Sequence, residues 1–356
     1  MRLRILIAVG LLLAAGTIVA DPFAYITNSH TASVSVIDTA THSVVATLAV
    51  EINPYGVAAS PDGNRVYVTN QNSDSVSVID TATQTVVDTV AVEDGPSGVA
   101  VSPDSSHVYV ATSFTNRVSV IDTASNTVEN TVTVGPSPYG LVVSPDGSQV
   151  YVANNQSDTV SVIDTSTQAV VDTISVDLYP FGVTVSPDGN RLYVGSYFSS
   201  SVSVIDATTH TVIDTLTAID GAAGVAVSPD SRRVYVTSYN TGTVAVIDAA
   251  TLTVVDSVAV ETSPHGVAVS PEGSQVYVVN QDSDSVSVID TASNTVVDTI
   301  SLGVGSNPIA FGHFIGPGPA GVLEIPTLGP WGLAFLALLL MGLATRRLRG
   351  RGSRGS

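Results

Sequence analysis

Short apolar runs alternate with polar turns along most of the chain, and no window carries a helical period. Residues 56–95 show the unit. Gly56-Val-Ala-Ala-Ser60 is a short apolar run that ends in Ser60-Pro-Asp-Gly63, a turn in which proline presets φ at the second position and glycine suits the fourth. Arg65-Val-Tyr-Val-Thr-Asn70 follows, rich in the β-branched and aromatic residues that strands favour. A polar loop, Gln71-Asn-Ser-Asp74, leads into Ser75-Val-Ser-Val-Ile-Asp80, where Ser and Val alternate with period two. Thr81-Ala-Thr-Gln-Thr85 then turns the chain into Val86-Val-Asp-Thr-Val-Ala-Val92, and a Gly/Pro loop opens the next unit. The pattern predicts four strands, A to D from the centre outward.

The unit recurs without a slip. Tyr25, Tyr67, Tyr109, Tyr151, Tyr193, Tyr235 and Tyr277 stand 42 residues apart, and so do Asp38, Asp80, Asp122, Asp164, Asp206, Asp248 and Asp290 of the recurring Val-Ile-Asp. A period near 40 made of short strands is the signature of a β-propeller with one four-stranded blade per repeat. The expected fold is therefore all-β: seven blades, about 28 short strands, over residues 21–314. The first unit opens at strand B, Phe23 to Asn28. Asn307-Pro-Ile-Ala-Phe311 resembles the missing A strand, shifted by a two-residue insertion and lacking the Ser-Pro-Asp-Gly turn. It is expected to complete the first blade, so that no blade boundary stays open.

Composition narrows the functions. The chain has no cysteine, which excludes disulfides, thiol catalysis and cysteine-held clusters. Serine, threonine and valine abound, as expected of packed sheets with hydroxyl-bearing outer faces. Lysine is absent, and between Asp21 and Glu324 five arginines face all 31 acidic residues, a formal −26. Such a surface repels nucleic acid and anionic membranes, favours cations and basic partners, and keeps an exported protein soluble.

Both ends read as address labels. Residues 1–20 read as a secretory signal peptide: Arg2 and Arg4, an apolar run from Ile5 to Ala15, then Thr17-Ile-Val-Ala20 before a cleavage point. At the other end, residues 315–324 read as a Gly/Pro linker. Residues 325–356 carry Ile325-Pro326-Thr327-Leu328, then Trp331-Gly332, an apolar stretch from Leu333 to Ala344, and a basic tail with Arg346, Arg347 and Arg349. That stretch is short for a full span of about 20 residues, while a basic stop holds a tail at the cytoplasmic face. An ordinary membrane anchor shares these two features. The order of elements resembles the IPTL-CTERM sorting signal of Gram-negative bacteria. The resemblance implies recognition by an exosortase-type membrane enzyme, transient inner-membrane association and delivery to the cell surface or beyond. Gly329-Pro330 departs from the polar pair frequent in that family.

The repeats resemble the YVTN-repeat family, in which Tyr-Val-Thr-Asn, Val-Ile-Asp and Ser-Pro-Asp-Gly recur. Tyr67-Val-Thr-Asn70 matches in full; Tyr25-Ile-Thr-Asn28, Tyr151-Val-Ala-Asn154 and Tyr277-Val-Val-Asn280 nearly so. The resemblance implies a seven-bladed extracytoplasmic propeller and no fixed activity.

Positions shared by every repeat serve the ring; positions that differ can build an asymmetric site. The Val-Ile-Asp and Ser-Pro-Asp-Gly aspartates thus read as turn-forming groups. The D-to-A and B-to-C connections leave the same end of a blade, and there the chain varies. Before the A-strand glycine stand Tyr55, Ser97, Tyr139, Phe181, Ala223 and His265, with Ile309 last; the B-to-C loops add Phe114, Tyr197, Phe198 and Tyr239, and a D-to-A loop adds Tyr179. Most of these rings belong to blades 3 to 6. They form a candidate binding surface for a polysaccharide or an envelope protein, or else they cover the channel mouth. Asn280, Asp282 and Asp284 alternate like the start of a calcium loop but lack its downstream glycine and glutamate, so calcium is a weak expectation and no other cofactor is expected. The six histidines fall at unrelated repeat positions, and there is no phosphate loop or nucleophile elbow. The expectation is a non-catalytic binding or structural module, with a lactonase-like hydrolase holding a divalent cation in the channel, or a ligand-free scaffold, as alternatives.

Overall fold

In the computed structural model of the protein, residues 22–310 and 312–316 are described. They build seven antiparallel four-stranded sheets and 28 strands, with no helix among the described residues. In blade 2 the strands are Pro54–Ala59 (A), Arg65–Asn70 (B), Ser75–Asp80 (C) and Thr85–Ala91 (D). Successive blades repeat this order, as the period predicts. The signal and sorting segments, with Ile325, Pro326, Thr327, Leu328, Trp331, Gly332, Arg346, Arg347 and Arg349, lie outside the described residues.

Strands B and C are buried on both faces, because a neighbouring blade covers each. The tyrosine of strand B fills the space between blades; Tyr67 packs with Val76 and Val78 of its own blade and Val99 and Val108 of the next. The serines of strand C are not on an outer face, as composition suggests. Ser75 and Ser77 are buried and receive the Asn70 side-chain amide at 3.1 and 3.0 Å, and the same arrangement recurs at Asn28 and Asn280. Only strand D is mostly exposed.

The repeated aspartates do what turn chemistry requires. Asp80 Oδ1 accepts the Thr83 amide at 2.9 Å, and Asp62 Oδ1 takes the Ser60 hydroxyl at 2.6 Å and the Asn64 amide at 3.0 Å.

Inner strands converge on the channel, and there glycine is obligatory. A Cβ on Gly98 would lie 2.2 Å from the Tyr139 carbonyl oxygen, and one on Gly182 2.2 Å from that of Ala223. Thr69 fastens this seam: its hydroxyl donates to the Ser97 carbonyl of the next blade at 2.6 Å and accepts the Gly56 amide at 2.8 Å.

The ring closes through the C-terminal segment, by a longer route than expected. Pro308 bridges Asn28, the Ile309 amide donates to Thr27 O at 3.0 Å, and the Tyr25 amide to Phe314 O at 2.8 Å. Ile315 and Gly316 then pair with Ala24 and Phe23. In blade 2 the equivalent partners of strand B, Pro54 and Ala59, are five residues apart; Pro308 and Ile315 are seven apart. A second pair of residues is thus inserted after Pro308. Ala310 occupies the slot of Gly56, its amide donating to Thr27 Oγ1 at 2.8 Å, and has a φ of +41°. In five other blades this slot holds a glycine whose Cβ would come within 2.4 Å of a carbonyl oxygen; here the backbone passes Gly312 at φ +123° and returns at Phe314. The ring therefore includes Ile315 and Gly316, two residues past the boundary expected at 314.

Candidate functional site at the channel mouth

The variable residue of strand A owes its direction to a β-bulge. Pro138 pairs with Asn154 and Leu141 with Val152, so Tyr139 and Gly140 face a single residue of strand B. The same shift recurs at Tyr55, Ser97, Phe181, Ala223 and His265. A bulge re-aims a side chain. Here it turns one side chain in each of blades 2 to 7 toward the channel mouth, at a position where the repeat varies.

Of the residues expected there, the structure brings most together. Tyr139, Phe181, Tyr197, Phe198, Tyr239 and His265 line one cavity of about 290 Å³, with Asn155, Ala223 and Gln281. Tyr139 stacks on Phe181 (ring centroids 5.0 Å apart), and Tyr197 meets Tyr239 edge to face at 5.6 Å. His265 stands edge to face with Phe181 at 5.3 Å, Tyr55 at 6.1 Å and Tyr239 at 6.3 Å. Tyr179 lies one ring further out, 4.7 Å from Phe198. Phe114 stands apart, 69% exposed and flat on Gly95, where a Cβ would come within 2.5 Å of its ring. The cavity is thus lined from blades 4 to 7, and Phe114 of blade 3 is not among its lining residues.

The site carries little formal charge of its own. Burial lowers the imidazole pKa of His265 to about 4, against which a hydrogen bond to the Ile309 backbone acts only weakly. Burial pushes the Tyr55 phenol well above its ordinary range, and raises Tyr139 and Tyr197 as well. The polar lining is engaged internally. Gln281 accepts the Tyr239 hydroxyl at 3.2 Å and donates to Asn307 Oδ1 at 3.1 Å, while Asn155 donates to Pro180 O at 3.2 Å.

Asn280, Asp282 and Asp284 serve three different neighbours. Asn280 donates to Ser285 and Ser287, Asp282 accepts Ser263 Oγ at 2.6 Å, and Asp284 caps the Gly305 and Asn307 amides at 2.6 and 2.7 Å. Asp74 and Asp158 perform that same cap on Gly95 and Tyr179. Sequence reasoning missed another group. His107, Asp122 and Glu129 present ligand-type atoms within 4.8 Å of one another, with His107 Nε2 3.3 Å from Glu129 Oε1. The signal was available: Arg or Gln holds the place of His107 in most blades, and Val or Ile that of Glu129.

The opposite end of the channel holds a larger cavity of about 500 Å³, walled by the apolar ends of the A strands, including Val99, Leu141, Val183 and Val225. His313, on the inserted loop, faces into it; enclosure by the walls lowers its pKa.

Comparison with known proteins agrees with this architecture. A YNCE-like β-propeller family model matches residues 58–146 and 100–197, and a seven-bladed β-propeller lactonase family model matches residues 182–299. An IPTL-CTERM motif matches residues 325–350, which implies export and processing by an exosortase-type enzyme. No curated protein matches significantly. Among solved structures, a chain of Kuenenia stuttgartiensis hydrazine synthase is similar at 24% identity and a TM-score of 0.67, over 80% of this chain and 99% of that one. A functionally unknown protein from Desulfotomaculum acetoxidans is similar at 19% identity and a TM-score of 0.72, over 82% and 99%. At these identities the likeness is one of fold. The chain is a seven-bladed β-propeller that carries a C-terminal sorting motif.

Proposed function

We propose that the protein is a surface-sorted, non-catalytic binding module whose ligand sits in the aromatic cavity at the channel mouth. One observation carries the reading: in a ring repeated seven times, side chains that depart from the repeat come together from four blades in one cavity walled by six rings. Concave, largely apolar sites with a few placed polar groups are where ligands bind. Scaffold duty alone would be met by small residues like Ser97 and Ala223 in every blade.

The test is a thermal-shift and calorimetric screen of the exported protein, repeated on a Tyr139→Ala/Phe181→Ala/Tyr197→Ala variant. A ligand held here raises the melting point of the native protein with concentration, and the triple variant loses that rise while remaining folded. Undiminished affinity in the variant would move the site elsewhere.

The lactonase family match over residues 182–299 favours a second reading, hydrolysis of a lactone with a divalent cation in the channel. Turnover of a lactone panel, lost on His265→Gln, would establish it. Absence of turnover with and without added calcium would retire it.

A further inference from the structure

We infer that the cavity at the channel mouth selects a quaternary or methylated ammonium head group, held by ring faces rather than by hydrogen bonds. This rests on the proposal that the cavity binds a ligand. Three observations define the chemistry. First, Tyr197, Tyr239, Phe181 and His265 meet at steep angles, with interplanar angles of 64°, 80° and 82°, so their rings form walls turned toward one space rather than a flat platform. An aromatic face carries negative quadrupole and attracts a cation laid against it. Second, several polar groups of the lining are engaged inside the protein, namely the Gln281 side chain, the Asn155 amide nitrogen and the Tyr239 O–H. A ligand with many hydroxyls would have to compete with these bonds, whereas a fully methylated ammonium has no N–H to satisfy. Third, the loops of this face carry ten carboxylates, and the one arginine among the described residues that reaches it, Arg117, is bound to Glu93 at 2.8 Å.

Six of those carboxylates belong to the loops that supply or lead into the cavity: Asp158, Asp177, Asp220, Glu261, Asp282 and Asp284. Asp220 is linked to the wall itself, through Asn240 to the Tyr197 hydroxyl (2.9 and 3.3 Å). His265, kept neutral by burial, puts no competing positive charge against the floor. The field draws a cation to the mouth, and the rings favour one that is apolar on its outside.

Calorimetric titration of the full chain with tetramethylammonium, choline and the neutral isostere 3,3-dimethylbutan-1-ol tests this. The expected result is saturable binding of both cations, with the isostere weaker by roughly tenfold or more. Added sodium chloride should weaken the cations and leave the isostere unchanged. Tyr197→Ala should lose most of the affinity, and Tyr197→Phe, which keeps the ring face, should retain it. Equal affinity for cation and isostere overturns the inference, as does retention by Tyr197→Ala. Binding of an oligosaccharide in the same cavity without binding of tetramethylammonium overturns the ligand class while leaving the binding reading intact. If no probe of either class binds, both fall.

Discussion

At the scale of single residues, two buried imidazoles distinguish this ring from its repeat. His265 belongs among aromatic rings and His313 inside the channel, and burial lowers the pKa of both. The unfolded chain takes up these protons near pH 6.5, whereas folded His265 resists until about pH 4. Between those values the unfolded state binds more protons, so stability falls as pH falls through that window. The turn aspartate Asp104 titrates below that window, held at about 2, from an ordinary 3.8, by hydrogen bonds from Ser102 and Ser106. The melting point is therefore expected to drop between pH 7 and pH 5, and a His265→Gln/His313→Gln double variant should flatten that drop. An equally steep fall in the variant would place the effect in other groups. The location of His265 was legible from its repeat position, but its protonation state was not. Position follows from the bulge that blades 2 to 7 share, whereas burial depends on Tyr55, Phe181 and Tyr239, which come from three other blades.

At the scale of elements, the blades hold together by two kinds of seam. Near the channel, glycine and the strand B threonine let inner strands touch. At the rim, a turn residue with left-handed φ reaches back to the outer strand of the preceding blade: Asn126 to Asp88 at 2.9 Å, His210 to Asp172 at 2.9 Å, Asn294 to Asp256 at 3.0 Å. His42 to Asp298 at 3.2 Å carries the same link across the closure, from blade 1 to blade 7. The closing strand has the least repetition to rely on. It contributes Phe314, fully buried, where other blades have Ala58 or Ala100. Phe314→Ala is expected to cost roughly 3–5 kcal/mol, the usual range for a buried phenylalanine. Urea unfolding would show it as a lower midpoint with an added early phase from blade 1. An unchanged midpoint would mean that the ring closes without this strand. That a segment near 307–311 would close the ring was readable from its Asn-Pro-Ile-Ala. Its extension to Gly316 was not, because an insertion has no repeat to be aligned against.

At the scale of the whole molecule, charge and topology act together. A formal net charge of −19 on a chain without lysine means that compaction works against self-repulsion. Salt screens that repulsion, with a Debye length of about 8 Å near 0.15 M. The melting point is expected to climb as sodium chloride is raised from low concentration, and a flat response would show that paired contacts such as Arg117 with Glu93 already neutralise the surface.

The sequence by itself determined whatever is local and repeated: four strands per blade, seven blades, the turn chemistry of Ser-Pro-Asp-Gly and Val-Ile-Asp, and the identity of the C-terminal motif. These depend on periods of two and of 42 residues, and on side chains acting on their own backbone. Tertiary structure alone decided which rings meet. Phe114 and Phe198 hold the same kind of loop position, yet one rests on Gly95 and the other joins Tyr179 and Tyr197. It also decided that the serines of strand C face inward, because only the packing of neighbouring blades defines an inside for a sheet covered on both faces.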